Sequence, residues 1–471
     1  MARLVVVSNR VGVPDSGARA GGLEVSIRPA LRKRGGVWFG WSGRVADGDP
    51  GPAKTVERDN VSYVTIGLRK DDYEEFYNGF ANRVLWPILH YRLDLAEFTR
   101  RDLSGYFRVN EFFASNLEAL LKPDDVVWVH DYHLIPLAKT LRERGHKNKI
   151  GFFIHIPLPP PEMLTALPNH ERLIPSLGHY DLVGFQTETD ANNFSRYLAN
   201  ECGLKRVGED SFTFDDRVVR IGVFPVGVET EAFARLARRA IESAFVREVL
   251  ESLSGRAMII GVDRLDYSKG IPERMNAFER FLTISPEWHG NVTYLQITPH
   301  SRTGIPEYTD LGRMVGEAVG RINGTFGAAS WTPVRYINKA HSRTALAGLY
   351  RAARAALVTP LRDGMNLVAK EFVASQNPDD PGVLILSRFA GAARECTAAL
   401  LVNPYDHEGV AIAINRGLSM SQDERRQRHA VNYKVLTEND LTHWAERFLG
   451  ALEQTPGAAS AAAPIRVVTG R

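Results

Sequence analysis

The chain has 471 residues, 44% of them hydrophobic and 24% charged, which at roughly 150 residues per domain suits two or three buried cores. Its 40 glycines and 25 prolines are near average usage, so a fibrous or globally disordered chain is excluded. With 58 Lys and Arg against 55 Asp and Glu, the net charge is only +3, which excludes a protein held mainly by nucleic-acid phosphates and leaves anion binding to a few placed basic residues.

In chain order, short apolar runs alternate with amphipathic stretches. The runs at 4–7, 126–129, 150–154 and 182–185 read as strands buried on both faces of a parallel sheet. Helical patterns occupy 107–121, 134–144 and 191–199. Residues 225–228 end one block, a charged amphipathic stretch fills 232–253, and a second series of strands begins at 257–262. Further strands are expected at 292–298, 355–359 and 383–387, with helices near 272–283, 310–320, 342–354 and 367–376. Alternating β and α over such a length predicts an α/β protein of two doubly wound domains, with a joint near 225–253. The segment 456–471, rich in Ala, Pro and Gly, reads as a loose tail.

Cys202 and Cys396 stand far apart without a CxxC, which excludes a disulfide scaffold and a thiolate zinc site and fits a reducing compartment. The first apolar run is too short for a signal peptide, and no stretch is long enough to span a membrane. A cytoplasmic protein is the expectation.

In doubly wound sheets ligands bind beyond the carboxyl ends of strands, so polar residues there are the first candidates. Asn9-Arg10 follow the first run, and Gly21-Gly22 could bring backbone N–H groups close to an anion. The same residues also make a turn and a solvated arginine. They form no GxGxxG, so a nicotinamide cofactor has no support. His130, Asp131 and His133 end the run at 126–129, and His155 ends the next. Together they point to a site, although each alone reads as a structural histidine. No HExxH or cysteine partner accompanies them, so no metal is expected.

In the second half, Arg264 and Lys269 place two cations in a strand-to-helix loop, where a diphosphate could be held. Asp263 and Asp266 could equally neutralise them. Arg302 follows the next strand. The stretch 359–371 ends a strand, turns tightly at Asp363-Gly364 and offers Asn366 as N-cap of a helix whose free N–H groups suit a phosphate or sugar oxygen. Glu371, a turn further in, could reach a ribose diol or pair with a nearby lysine. Trp38, Trp41, Tyr77, Trp86 and Tyr91 are expected in loops, either as core or as faces for a sugar ring.

These strings resemble glycosyltransferase family 20, retaining glycosyltransferases of the GT-B fold. The resemblance rests on VVVSNR at 5–10, GGL at 21–23, FGWSG at 39–43, LWP and HYR within 85–92, WVHDYHL at 128–134 and FFIHIP at 152–157. It continues through GFQT at 184–187, VDRLDYSKG at 262–270, GRINGTFG at 320–327, TPLRDGMNLVAKE at 359–371, LSRFAGA at 386–392 and NPYD at 403–406. It implies two Rossmann-like domains facing a central cleft, an acceptor domain at 1–235 and a nucleotide-sugar domain at 236–440. A helix near 440–455 would pack back on the first. The implied reaction transfers glucose from a nucleotide-glucose, usually UDP-glucose, to glucose 6-phosphate, giving trehalose 6-phosphate.

The resemblance also implies roles. Arg264 and Lys269 would hold the donor diphosphate, with the helix start at Asn366 and Leu367 assisting and Gly22 lying over the phosphate. Glu371 would take the ribose hydroxyls. Asp363, the backbone at Gly364 and Met365, and His155 would bind the transferred glucose. Arg10 and Arg302 would hold the acceptor phosphate, with Tyr77, Trp86 and Asp131 framing its sugar. Catalysis would rest on His155, Asp363, Arg264 and Lys269 without a cofactor, and a homo-oligomer such as a tetramer would be expected. Other activities of the family, glucosylglycerol-phosphate synthesis or cyclitol coupling, are the alternatives, as is a regulatory protein that only binds sugar phosphate. The intact His155, Asp363 and Glu371 favour an ordinary sugar donor. Departures from the family pattern at 158–161, Phe372 and 202–218 touch no proposed ligand.

Overall fold

The computed structural model describes residues 2–13, 22–300 and 306–455. Backbone proximity divides the chain into two units, Met1–Pro225 with Trp444–Arg471, and Val226–His443. Arg302, Gly21 and the stretch 456–471, all singled out from the sequence, lie outside the described residues.

The first unit is built on nine strands: β1 Leu4–Arg10, β2 Gly36–Ala46, β3 Lys54–Arg58, β4 Val61–Arg69, β5 Val126–His130, β6 Lys149–Phe153, β7 Leu182–Phe185, β8 Ser211–Phe214 and β9 Arg217–Val223. Their order is β3-β4-β2-β1-β5-β6-β7-β9-β8. The interior pairs are parallel, and only the edge strands β3 and β8 run antiparallel to their neighbours. Leu4 to Val7 have no exposed surface, as expected of a strand covered on both faces. β3 (KTVER) is exposed along its whole length, and a charged, solvated edge of this kind discourages pairing with another chain. Asp215, at φ +51°, turns β8 into β9, so the second half of the stretch that matched no motif enters an edge hairpin.

Glycines in β6 and β7 make room for one aromatic residue. A Cβ on Gly151 would lie 2.9 Å from the Phe448 ring, and one on Gly184 2.7 Å. Phe448, on helix Leu441–Glu453, stacks on Trp128 of β5 with centroids 4.9 Å apart.

The second unit carries six parallel strands: β10 Ala257–Val262, β11 Val292–Ile297, β12 Val334–Ile337, β13 Ala355–Val358, β14 Val383–Ser387 and β15 Leu400–Val402, in the order β12-β11-β10-β13-β14-β15. Helices Ile271–Ile284, Arg343–Ala352, Leu367–Ser375 and His407–Ser419 are among those flanking the sheet. Among the described residues, no helix is long and apolar enough to cross a membrane.

Strand order reverses direction between β1 and β5 in one sheet and between β10 and β13 in the other. At such a reversal the connecting loops diverge to opposite faces and leave a crevice beyond the carboxyl ends of the strands. Arg10 and His130 end one pair of strands, and Val262 and Val358 the other, each leading into a polar loop.

Candidate active site

In the first unit, Arg10 is exposed at the end of β1, its guanidinium 5.0 Å from the centre of the Trp41 ring. Gly43 has φ +86°, and a Cβ there would overlap the guanidinium, so glycine is required both for the backbone and for the seat of Arg10. Trp41 begins an aromatic wall. It lies 5.5 Å from Tyr73 and 5.7 Å from Tyr77, Tyr73 and Tyr77 stack at 5.4 Å, and Tyr77 stacks on His133 at 5.8 Å.

One sequence expectation needs correction. Trp38 and Trp41 lie on β2, Tyr77 in the π-helical segment Tyr73–Leu85 and Trp86 at the start of the next helix, not in loops. Trp38 is wholly buried core, donating its indole N–H to Ser8 Oγ at 2.9 Å. Trp86 is also buried, its ring 4.0 Å from that of His90 and 5.7 Å from that of Tyr132. The partly exposed faces belong to Tyr73 and Tyr77. Glycine-rich spacing hid β2 from a search for continuous apolar runs.

Asp131, just past β5, holds φ 74°, ψ 164°, a region that glycine normally takes, at a cost of about 1–3 kcal/mol. The loop fixes it from both sides. Its N–H donates to Phe153 O at 2.8 Å, and its Oδ1 accepts from the His155 N–H at 3.2 Å. His155 Nε2 is 3.0 Å from Nδ1 of the buried His130. Burial pushes His155 down to about 3 and His130 well below its usual value, so both rings are neutral at physiological pH. Gly22 opens helix Gly22–Arg34.

In the second unit the loop after β10 is held by Asp266. Its Oδ1 accepts from the Ser268 N–H at 3.0 Å and from Ser268 Oγ at 2.8 Å, and its Oδ2 lies 3.3 Å from Arg264 Nε. The Arg264 side chain stays 42% exposed. Lys269 Nζ donates to Asp363 Oδ2, and Asn366 Nδ2 donates to the same oxygen at 3.1 Å. Asn366 caps helix Leu367–Ser375 by accepting from the Ala369 N–H at 3.3 Å, and its φ of 76° turns the chain sharply into the helix. A Cβ on Gly391 would overlap the Gly364 carbonyl, so the small-residue loop 389–393 presses directly on the Asp363-Gly364 turn.

Glu371 is partly exposed one turn into this helix. Among the described residues no hydrogen bond reaches its carboxyl group, and burial pushes it up to about 7, with Arg343 acting weakly in the other direction. Lys370 does not pair with it. Lys370 is fully buried, donating to Glu395 at 2.5 Å and to Val226 O at 2.7 Å.

Arg274 was missed. It is fully buried and donates to Thr359 Oγ1 at 2.9 Å, Asp263 Oδ2 at 2.8 Å, Gln296 Oε1 at 3.2 Å and Lys269 O at 3.1 Å. One guanidinium thus ties the ends of β10 and β13 to the backbone of the cationic loop. Even so, burial leaves the Asp263 carboxyl above its ordinary value. The signal lay in the helix pattern, where Arg274 falls on the apolar stripe of Ile271, Met275 and Phe278. Among the described residues no cluster of His, Cys, Asp or Glu is arranged to hold a metal ion.

Each unit therefore presents polar groups at the reversal point of its sheet. The first offers a cation on an aromatic wall, a strained carboxylate and a neutral histidine pair. The second offers two basic side chains, a capped helix N-terminus and a carboxyl group awaiting donors, a set suited to a nucleoside diphosphate.

The model of the family described as glycosyltransferase family 20 matches residues 13–454. A trehalose-6-phosphate synthase of Sinorhizobium fredii is 54% identical over 456 residues, covering 96% of this chain and 98% of its own. A crystal structure of a UDP-forming alpha,alpha-trehalose-phosphate synthase from Burkholderia xenovorans in complex with glucose-6-phosphate matches with a TM-score of 0.93 and 45% identity, covering 96% of this chain and all of that one. An E. coli structure bound with UDP-2-fluoro glucose matches with a TM-score of 0.92 and 45% identity, covering 97% of this chain and all of that one.

Proposed function

The chain belongs to glycosyltransferase family 20, and on that premise we propose that it transfers glucose from UDP-glucose to glucose 6-phosphate, giving trehalose 6-phosphate and UDP. The observation that carries this reading is the cluster of Lys269, Asp363 and Asn366 at the N-terminus of helix Leu367–Ser375, with Glu371 one turn further in. It offers cations and free N–H groups for a diphosphate, and a lone carboxyl group for a pair of hydroxyls.

The donor is bound by the second unit. Lys269, Arg264 and the helix N-terminus take the diphosphate, Glu371 accepts from both ribose hydroxyls, and Asp363 with the backbone at Gly364, Met365 and Leu367 takes the glucose hydroxyls. The acceptor phosphate is taken by Arg10 and Arg302, and its sugar by Tyr77, Trp86 and Asp131. His155 donates to a hydroxyl of the transferred glucose.

As the bond to the anomeric carbon breaks, negative charge gathers on the departing UDP. Lys269 and Arg264 are already held in place by carboxylates and need little reorganisation to stabilise that charge. The acceptor hydroxyl attacks the face that the diphosphate leaves, and its proton passes to the departing phosphate oxygen, so configuration is retained. Protein groups then act by orientation and electrostatics.

The test is a nucleotide-release assay crossing UDP-, GDP- and ADP-glucose with glucose 6-phosphate and glycerol 3-phosphate. Release of UDP dependent on glucose 6-phosphate is expected. Release with glycerol 3-phosphate alone would move the chain to the glucosylglycerol-phosphate reading.

A further inference from the structure

His130 does not belong to the ligand set, yet its side chain is hydrogen-bonded to that of His155. Its Nδ1 and His155 Nε2 are 3.0 Å apart, and both rings are neutral, so one proton lies between them. Two arrangements satisfy that bond. In one, His130 Nδ1–H donates and His155 Nε2 accepts, which puts the His155 proton on Nδ1. In the other, His155 Nε2–H donates, His130 Nδ1 accepts, and the His130 proton moves to its own Nε2.

The buried surroundings of His130 distinguish the two. Among the described residues its Nε2 has no hydrogen-bond partner, and neither do the indole Nε1 atoms of Trp128 and Trp444. Those rings lie 4.5 and 6.5 Å from the His130 ring, centre to centre. An indole nitrogen only donates. A proton on His130 Nε2 would add a third buried N–H donor without a partner to these two indoles. A bare Nε2 leaves only an unpartnered lone pair there, and buried N–H groups without partners are the rarer defect.

We propose that His130 is a positioning residue that donates from Nδ1 to His155 and so fixes His155 as the Nδ1–H tautomer, with a hydrogen-bond donor left to face substrate. The His155 main chain is fixed at this point by its N–H bond to Asp131 Oδ1. The site then presents a donor to a sugar hydroxyl oxygen, where the other tautomer would present an acceptor. This rests on the reading above that His155 contacts the transferred glucose, but the tautomer itself does not.

The experiment therefore has two arms. In the first, the protein is labelled with 15N-histidine, and two-bond nitrogen–proton correlations assign the His155 tautomer with no substrate present. The expected result is a protonated Nδ1 and a bare Nε2. A protonated Nε2 would overturn the proposal. In the second arm, His130→Leu removes the donor, whereas His130→Asn keeps one near the place of Nδ1. His130→Leu should lower kcat by roughly 10–100-fold, the scale on which outer partners of functional histidines act, with the KM for glucose 6-phosphate unchanged. His130→Asn should restore most of the rate together with the Nδ1–H signal of His155. An unchanged kcat in a folded His130→Leu protein refutes the positioning role. If His130→Leu fails to fold, the wild-type spectrum and the Asn variant still decide. Full activity of His155→Phe beside a confirmed Nδ1–H tautomer would sink the contact with glucose and leave the tautomer standing.

Discussion

Replacing Glu371 with glutamine removes a carboxyl group that burial holds at about 7 against an ordinary 4.5. A group whose folded pKa lies above its unfolded value binds more protons folded than unfolded, so stability is fully present below pH 4.5 and declines as pH rises to about 7. At 1.36 kcal/mol per pH unit the loss by pH 8 is about 3 kcal/mol, an upper figure because part of the side chain meets solvent. Glutamine carries no charge to bury. Glu371→Gln should therefore raise the Tm of the ligand-free protein at pH 8, by up to roughly 6–12 °C for a unit of this size, and leave it nearly unchanged at pH 4.5. The same variant should weaken UDP binding, because an ionised carboxylate accepts from both ribose hydroxyls where the amide oxygen is a weaker acceptor. Thermal scans with and without UDP across pH 4.5–8 make the measurement. An equal Tm change at both ends of the pH range would refute the reasoning, as would undiminished UDP stabilisation.

Lys269→Ala should lower kcat/KM by about 100-fold or more, the scale of losing one charge-stabilising group, and steady-state kinetics will show it. Arg274→Met should cost about 3–5 kcal/mol by leaving the buried Asp263 carboxylate unpaired, read as a fall in Tm or in urea midpoint. Gly43→Ala should displace the Arg10 guanidinium and strain a left-handed backbone, raising the KM for glucose 6-phosphate more than that for UDP-glucose.

Much of the fold was legible because parallel strands covered on both faces leave continuous apolar runs, as at Leu4 to Val7 and Val126 to Val129. Several strands that escaped lack that signature. β3 is charged and exposed, β2 is broken by glycines, and β8 and β9 form a mixed edge hairpin. The candidate site was legible wherever chemistry sits at a strand end in a distinctive string, as at Asp131, Arg264, Lys269 and Asp363. The supporting groups were not. Arg274, Lys370 and Gly43 act through tertiary neighbours far away in sequence, such as Thr359, Glu395 and Arg10. The sequence carried them only as an arginine on an apolar stripe, a lysine beside a candidate glutamate and a glycine two residues past a tryptophan, and it named His130 in the strand-end cluster without its bond to His155.

The central claim is a glucose transfer to glucose 6-phosphate with retained configuration, and the product tests it most directly. The enzyme would be given UDP-glucose carrying 13C at the anomeric carbon together with unlabelled glucose 6-phosphate, and the product followed by NMR. The expected product is trehalose 6-phosphate with an α,α-1,1 linkage and the label in the ring without phosphate, with one UDP released per bond formed. A β-linked disaccharide, label released only as free glucose, or no turnover with glucose 6-phosphate would contradict it.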